Sequence, residues 1–423
     1  MYLSFLPSNF VHWLKILSKF VSIQIVVQAL GLVSGIWLVR TLDQQQYAYF
    51  TIANTMQATM NLLADIGIST SISAIGGKVW QDRYRFGQLI NTAMRLRYFL
   101  ATISVTIITP ILIWMLIQNG ASTIYAILIS IVVLAGLNFQ LTSDVLIVVP
   151  RFHSQINKMQ KLDLFSAFFR IVFIGLGYLT FWNAGVAIAS TSLVSGLQRF
   201  VLGGWVSENI DMQSPFNNED KNFILKTIKN TLPSTIFFCF QGQLSIFIIT
   251  IFGNTKSIAE IGALGRISII FTLINSVMTA IILPSFSRCQ SAKLLTKRYL
   301  QILSIFFGFG LLLIFLSVIF PSEILWILGG KYQHLKNELV LMVILTVVNS
   351  FVGIMSSLNF SKAWIEFIWI EIPMRLVLQA ILLMILNIST IQGVIWLSLL
   401  SNISPFLVNA MLTYRGLKSY NAT

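Results

Sequence analysis

Charged side chains within long apolar runs are the residues of this sequence best able to bind or carry a charged group. Four arginines stand in such runs, namely Arg170, Arg199, Arg266 and Arg375. A guanidinium keeps its charge and can bond two oxygens of one phosphate, so these four are candidates for holding a phosphorylated anion. The alternative is that each extends its apolar stem to the end of its run and meets water or phosphate there.

A polar stripe follows the second apolar run. Asn54, Gln57, Asn61 and Asp65 are spaced by three, four and four residues, which places them on one side of a helix. Gln57 and Asn61 are therefore expected to line a cavity, and Asp65 is the best candidate for a buried carboxylate that carries a proton or another cation. A structural role, in which Asp65 braces a neighbouring helix, fits the same pattern.

Two further carboxylates, Asp144 and Glu371, are candidates for ion coupling or gating. Glu371 stands four residues before Arg375, so the two can pair on a continuous helix, although Pro373 between them favours a kink. Such a pair either is structural or opens when a cation or an anionic ligand arrives. Asp144 stands near a basic segment, so its alternative is an ordinary solvated carboxylate.

The remaining polar candidates are the amides of Gln24, Gln28 and Asn275. We expect them to line a cavity as well. For Gln24 and Gln28 the alternative is close helix packing, because Gly31 and Gly35 continue the same stripe with small residues. Helix packing is also the alternative for Asn275, which shares a helix face with Ser268, Thr272 and Thr279.

The composition explains why so few polar residues stand out. Hydrophobic residues make up 56% of the 423 residues and charged residues 10%, against about 25% in soluble domains. So few charges cannot cover a soluble protein of this size, so most of the surface must face lipid. With two cysteines, three histidines and no complete P-loop or HExxH motif, the sequence predicts no metal, no cofactor and no enzyme activity.

Twelve apolar runs are long enough to cross a bilayer as helices, which takes about 20 residues each. The predicted fold class is all-α integral membrane, with about twelve transmembrane helices in two six-helix lobes around a central cavity. A polar connecting loop, 207–230, separates an N-terminal lobe, 1–206, from a C-terminal lobe, 231–423. The predicted spans are 16–38, 46–75, 98–117, 123–149, 164–182, 185–205, 231–253, 258–286, 299–320, 339–360, 366–386 and 392–413.

The basic residues predict how the chain is oriented. Alternate loops hold 20 of the 28 Lys and Arg residues, the opposite loops hold four, and the last four stand inside the spans. Because basic loops remain on the cytoplasmic side, both termini are predicted to be cytoplasmic. The net charge of +14 then reflects topology, and no nucleic-acid partner is expected. Arg97, next to the third span, is counted here among the loop residues.

Four short stretches carry a family resemblance. They are residues 38–50 (LVRTLDQQQYAYF), 63–69 (LADIGIS), 261–266 (IGALGR) and 284–287 (PSFS). They are similar to polysaccharide exporters, whose superfamily also contains the multidrug extruders and the lipid II flippases. Together with the length and the short loops, they most resemble the O-antigen flippases of the Wzx type. The resemblance implies a V-shaped pair of six-helix lobes in the bacterial inner membrane.

The same resemblance implies a cargo. It is an undecaprenyl-pyrophosphate-linked oligosaccharide, moved from the cytoplasmic to the periplasmic leaflet by alternating access. The four arginines would then hold the pyrophosphate, and H+ or Na+ would couple to transport through a carboxylate such as Asp65. Membrane lipids and the polysaccharide polymerase machinery are the other expected partners.

Two rival functions are distinguishable from this one. A cation-coupled multidrug extruder of the same superfamily would be favoured by an acidic cavity without arginine. A membrane glycosyltransferase or polymerase generally needs a sizeable extramembrane loop with catalytic groups, whereas the longest external loop predicted here, 321–338, is short and has no such motif.

Overall fold

The computed structural model describes residues 10–153, 155–211, 213–268, 271–272, 278, 282–283, 286, 289, 292–362 and 364–422. Regular structure in these ranges is helical, without a strand, so the predicted all-α class is confirmed. Short 3-10 turns stand at Arg266–Ser268, Gly330–Tyr332 and Ile368–Ile370. The helices are α1 Phe10–Thr41, α2 Gln44–Ala64, α3 Ile68–Val79, α4 Arg83–Gln118, α5 Thr123–Leu146, α6 Val148–Phe152, α7 Ile156–Tyr178, α8 Ala184–Val206, α9 Asn218–Phe252, α10 Thr255–Gly265, α11 Ala292–Ile319, α12 Pro321–Leu328, α13 Lys336–Ser361, α14 Glu371–Ile385, α15 Ile391–Ser401 and α16 Ile403–Ala422.

Most of these helices have the length and composition of membrane spans. In the described ranges nine stretches qualify, and ten if the bent pair of α2 and α3 counts as one span. Two predicted spans remain. The helix of the first, α7, carries the charged residues Lys161, Asp163 and Arg170, and the second, 258–286, is only partly covered by the described residues. The chain is therefore a multi-pass membrane protein, and about twelve spans are consistent with its helices.

The chain divides into two compact units, Met1–Leu244 and Ser245–Thr423, and the division falls within α9. The predicted loop 207–230 is too long, because α9 already begins at Asn218. The reason is local: the Asn217 side-chain oxygen accepts hydrogen bonds from the backbone N–H groups of Glu219 (2.9 Å) and Asp220 (3.1 Å). These acidic residues stand in the first helical turn, where negative charge is favourable.

Residues 207–211 and 213–217, called the strap below, lie along the first turns of α4. The Arg83 guanidinium donates a hydrogen bond to the Ser207 carbonyl (2.6 Å), and the Asn91 amide donates to the Ser214 carbonyl (2.9 Å). These contacts require a close approach of the strap to α4. The composition of this polar segment predicts a flexible loop, whereas these contacts fix it to the N-terminal unit.

A glycine in α4 permits that approach. A Cβ atom at Gly87 would lie 2.3 Å from the backbone oxygen of Asp211 and 2.7 Å from the Ser214 hydroxyl. Only a residue without a side chain leaves room for the strap at this point. Farther along, the backbone N–H of Asn217 donates to the Thr92 hydroxyl (2.9 Å), which extends the strap contact to the start of α9.

The strap ends at a buried ion pair. Both terminal nitrogens of Arg85 bond the Asp220 carboxylate, one of them at 2.7 Å, and the Asp220 side chain is 3% exposed. This pair joins the beginning of α4 to the beginning of α9.

Replacing Asp220 by alanine is expected to lower stability by about 2 kcal/mol, because it removes two charge-assisted hydrogen bonds. The measurement is thermal unfolding of the purified protein in detergent. Glu219→Ala is the matched control, since Glu219 is the adjacent acidic residue and is exposed. An Asp220→Ala protein as stable as the Glu219→Ala protein would contradict an anchoring role for the pair.

Candidate functional site

An arginine between two aspartates is the most unusual feature of the N-terminal unit. Arg97, on α4, is 1% exposed. Its Nη1 lies 3.2 Å from Oδ1 of Asp65, and its Nη2 lies 2.8 Å from Oδ2 of Asp144. The three charges come from the end of α2, the middle of α4 and the end of α5, so the group joins three spans that are distant in sequence.

Two neutral side chains complete this group. Arg97 Nη2 also donates to Asn61 Oδ1 (2.9 Å), while the Asn61 amide nitrogen donates to Asp144 Oδ2 (3.0 Å). The Ser69 hydroxyl donates to Asp65 Oδ1 (2.8 Å). Asn61, Asp65, Ser69, Arg97 and Asp144 are called the polar cluster below. Its charged groups are held in one arrangement by neutral donors and acceptors, as buried charges require.

The local chain path explains how α2 supplies its residues. Asn61 and Asp65 are four residues apart and therefore share a face of the span. The helix then breaks at Gly67, whose φ of +70° is left-handed and favours glycine, and α3 continues at an angle of 46°. The break turns Ser69 back toward Asp65. The predicted continuous span 46–75 is thus two helices with the cluster at their junction.

Arg97 corrects the prediction that placed it in a polar loop. The helix α4 has 36 residues, or about 54 Å, which exceeds the hydrocarbon layer of about 30 Å. Arg97 immediately precedes the 20 uncharged residues 98–117, so it stands at the edge of the apolar part of α4. A signal was present in the sequence: Asp65 and Asp144 were predicted in the cytoplasmic halves of spans 46–75 and 123–149, and Arg97 is a basic residue at the predicted cytoplasmic end of the span between them.

The polar cluster borders a cavity of about 580 Å³ that lies entirely within the N-terminal unit. The side chains of Asp65 and Asp144 are 33% and 40% exposed, whereas Arg97 lies behind them at 1%. The cavity therefore meets the edges of two carboxylates. The other polar residues that line it are Thr70, Ser73, Gln140, Arg151, Thr231 and Thr235.

The charges of the polar cluster favour a cation. With both aspartates ionised, two negative charges oppose the single positive charge of Arg97, and both terminal nitrogens of Arg97 are already bonded to cluster oxygens. A proton or a sodium ion on a carboxylate edge would neutralise the excess. The described residues hold no group of three or more His, Cys, Asp or Glu side chains that would suit a transition metal.

The four predicted anion-binding arginines do not join the polar cluster. Arg170 is exposed on α7, and Arg266 is partly exposed at the 3-10 turn after α10. Arg199 of α8 donates to Asn138 Oδ1 (3.1 Å). Arg170 and Arg199 belong to the N-terminal unit, whereas Arg266 belongs to the C-terminal unit.

The fourth arginine, Arg375, pairs within the C-terminal unit. Its Nη1 lies 3.6 Å from Oε1 of Glu371, in the predicted four-residue spacing. Glu371 begins α14, so Pro373 stands in the first turn and not between two helical turns as the expected kink would require. The Glu371 side chain is 7% exposed and that of Arg375 is 15% exposed.

The predicted amides have different surroundings. Gln57 donates to Gln140 Oε1 (3.3 Å), and Gln140 lines the cavity. Gln24 and Gln28 are partly exposed on α1 and do not line the cavity. Asn275 lies outside the described residues.

Several polar lining residues escaped the sequence prediction, and three of them stand outside the predicted N-terminal spans. Arg151 was assigned to a loop, and Thr231 and Thr235 lie on α9, beyond the polar segment that was read as the border between lobes. These residues are hard to identify as cavity-lining from the sequence, because threonine is common in apolar helices and a basic residue is expected after a span. Only the packing of α9 onto the N-terminal unit brings these threonines to the cavity.

The fold is similar to that of known transporters, although no family model and no curated protein matches the sequence. A multidrug resistance MATE family transporter of the MOP superfamily, in its inward-facing conformation, aligns with a TM-score of 0.71 and 16% identity over 94% of this chain and 96% of that one. An outward-facing structure of such a transporter aligns with a TM-score of 0.61 and 18% identity over 96% and 95%.

A second kind of transporter shares the fold as well. The lipid II flippase MurJ, in an inward closed conformation, aligns with a TM-score of 0.67 and 13% identity over 94% of this chain and 87% of that chain. At these identities the similarity concerns the fold. The all-helical fold of this chain is therefore similar to that of both kinds of protein.

Proposed function

We propose that this chain is a flippase for an undecaprenyl-pyrophosphate-linked oligosaccharide. It would work by alternating access in the bacterial inner membrane, with both termini cytoplasmic. The shared fold with a MATE transporter and with MurJ supports a transporter, and the sequence resemblance to O-antigen flippases supports the cargo. The cargo's anionic head would pass through the protein while its apolar tail stays in the bilayer.

The observation that carries this proposal is the charge of the cavity wall. A cavity for organic cations is expected to be acidic and free of arginine. Here the wall carries Arg97 and Arg151 as well as Asp65 and Asp144, two positive against two negative charges. Such a cavity admits an anionic head group that a purely acidic cavity would repel.

Ion coupling is the second part of the proposal. Asp65 and Asp144 each present an exposed carboxylate edge to the cavity, so H+ or Na+ has access to both. Intramembrane carboxylates are common proton and ion carriers in transporters. Cation binding would weaken the attraction between a carboxylate and Arg97, which gives the polar cluster two arrangements. Glu371 and Arg375 are proposed as a gating pair in the C-terminal unit on the same reasoning.

A cation-coupled multidrug extruder is the second candidate, and one observation favours it. The terminal nitrogens of Arg97 are already hydrogen-bonded to Asp65 and Asp144, so the charged groups of the polar cluster that face the cavity are these two carboxylates. An organic cation would find the same two edges as a sodium ion. The two candidates therefore differ in whether arginines or carboxylates contact the cargo.

Deletion of the gene in its native host separates these functions. We expect loss of most surface polysaccharide and accumulation of undecaprenyl-linked intermediates, because their transfer across the membrane would stop. The measurements are surface glycan analysis and extraction of the lipid-linked intermediates. Complementation with the wild-type gene is the control. Normal surface glycan together with increased sensitivity to cationic drugs would refute the flippase and support the extruder.

A further inference from the structure

We propose that the cavity of the N-terminal unit binds the sugar next to the pyrophosphate, with Arg151 on the phosphate. This inference rests on the proposed function, since it presumes a cargo with a glycosylated pyrophosphate. It gives the head group a binding site, which the four arginines predicted within the spans do not form. The inference depends on the size of the cavity, on its hydroxyl groups and on one uncommitted guanidinium.

The size of the cavity exceeds what an ion needs. Its volume of about 580 Å³ lies within the range of roughly 300–1,000 Å³ that is typical of small-molecule sites. A water molecule takes about 30 Å³, so a sodium ion with a few waters would leave most of the space unused. A sugar ring with an attached phosphate is a better match for the volume.

The hydroxyl groups of the wall suit a sugar. Those of Thr70 and Thr235 line the cavity and have no hydrogen-bond partner among the described residues. Gln140 accepts from Gln57 through Oε1, which leaves its amide N–H groups for a ligand. Sugar hydroxyls both donate and accept, so they need this mixture of groups. The exposed edges of Asp65 and Asp144 add acceptors for sugar hydroxyls.

Arg151 is the guanidinium that remains for an anion. It is exposed, it lines the cavity, and no acidic or other hydrogen-bonding partner occurs among the described residues. Arg97, by contrast, uses both terminal nitrogens on Asp65, Asp144 and Asn61. A fixed charge with free donors beside a hydroxyl-rich wall is the arrangement that a sugar phosphate requires.

The test uses the full chain in nanodiscs and two soluble probes, farnesyl diphosphate and farnesyl-diphosphate-N-acetylglucosamine, in calorimetric titrations. We expect wild type to bind the glycosylated probe more tightly. Thr235→Val and Thr70→Val, which keep the side-chain shape, should each weaken that probe about fivefold and leave farnesyl diphosphate unchanged. Arg151→Gln should weaken both probes at least tenfold.

Matched controls are available for each substitution. Thr227→Val alters a partly exposed threonine two turns earlier on α9, and Lys78→Gln removes an exposed positive charge; neither residue lines the cavity. Both should bind as wild type. A titration in nanodiscs of phosphatidylglycerol against phosphatidylcholine identifies the phosphate source, since loss of probe binding only in phosphatidylglycerol would mean that Arg151 holds lipid phosphate.

The outcomes separate the inference from the proposed function. Equal binding of the two probes by wild type, or unchanged binding by Arg151→Gln and both threonine variants, would overturn the inference while a diphosphate cargo stands. Failure of wild type to bind either probe would count against the flippase itself.

Discussion

Replacement of Arg97 by alanine is expected to abolish transport and to lower stability by about 3 kcal/mol. The substitution leaves Asp65 and Asp144 close together without their shared positive partner. Removing one member of a buried ion pair typically costs about 3–5 kcal/mol, and the partial exposure of both carboxylates places this case at the lower end. Thermal unfolding in detergent measures stability, and surface glycan at matched expression measures transport.

Two further variants show whether the polar cluster accounts for this effect. Arg95→Ala removes a charge two residues earlier on α4, where the side chain is exposed, and should be close to wild type. Arg97→Lys keeps the charge, but an ammonium group cannot reproduce the planar fork that bonds both aspartates and Asn61. It should recover stability in part and transport little. An Arg97→Ala protein with normal stability and export would remove the polar cluster from the mechanism.

A double substitution tests the coupling between the charges. Arg97→Gln combined with Asp144→Asn removes one positive and one negative charge, so less uncompensated charge remains than in Arg97→Gln alone. The double variant should therefore lose less stability than the sum of the losses in Arg97→Gln and Asp144→Asn, by an interaction energy of about 1–3 kcal/mol. Additive effects would mean that the two side chains do not interact as their 2.8 Å separation indicates.

The membrane class and the positions of most spans could be predicted because they depend on local composition. A run such as 98–117 has no charged residue, and a helix is the structure that satisfies its backbone inside lipid. The spacing of Asn61 and Asp65 likewise predicted a shared face, and in the structure both contact Arg97. Their role in ion coupling remains a prediction.

The polar cluster as a whole could not be predicted, because it depends on contacts between distant spans. Arg97 follows Arg83 and Arg95, which are exposed, and nothing within its own segment separates it from them. Its burial results from Asp65 and Asp144, which are 32 and 47 residues away. A prediction from hydropathy ends a membrane span at a charged residue. When a neighbouring helix supplies an oppositely charged residue, the charged residue can be buried and the helix continues through that position.

The strap shows the same limit in a polar segment. Its composition, with Pro215 and the adjacent Asn217 and Asn218, predicts a loop. The strap is fixed by its close approach to Gly87 and by its backbone carbonyls, which accept hydrogen bonds from Arg83 and Asn91. Such complementarity is a property of two surfaces, so one stretch of sequence does not reveal it.

The second large effect is expected at the helix break beside the polar cluster. In Gly67→Ala a Cβ atom would lie 2.9 Å from the Thr231 hydroxyl and 3.1 Å from the backbone nitrogen of Ile228, while φ stays at +70°. The left-handed conformation alone costs a residue with a side chain about 1–2 kcal/mol, and the contacts add to this because one of them is to backbone. We expect a loss of 2–4 kcal/mol in stability and a several-fold loss of export.

The loss of export follows from where the strain is relieved. Either α9 moves away, which displaces Thr231 and Thr235 from the cavity wall, or the break between α2 and α3 moves, which displaces Asp65 and Ser69. Both responses alter the same site. Gly77→Ala is the matched control, because Gly77 stands on α3 with no atom within 4 Å of its Cβ position. If Gly67→Ala exported as well as Gly77→Ala at equal expression, the packing of α9 against the break would have no part in transport.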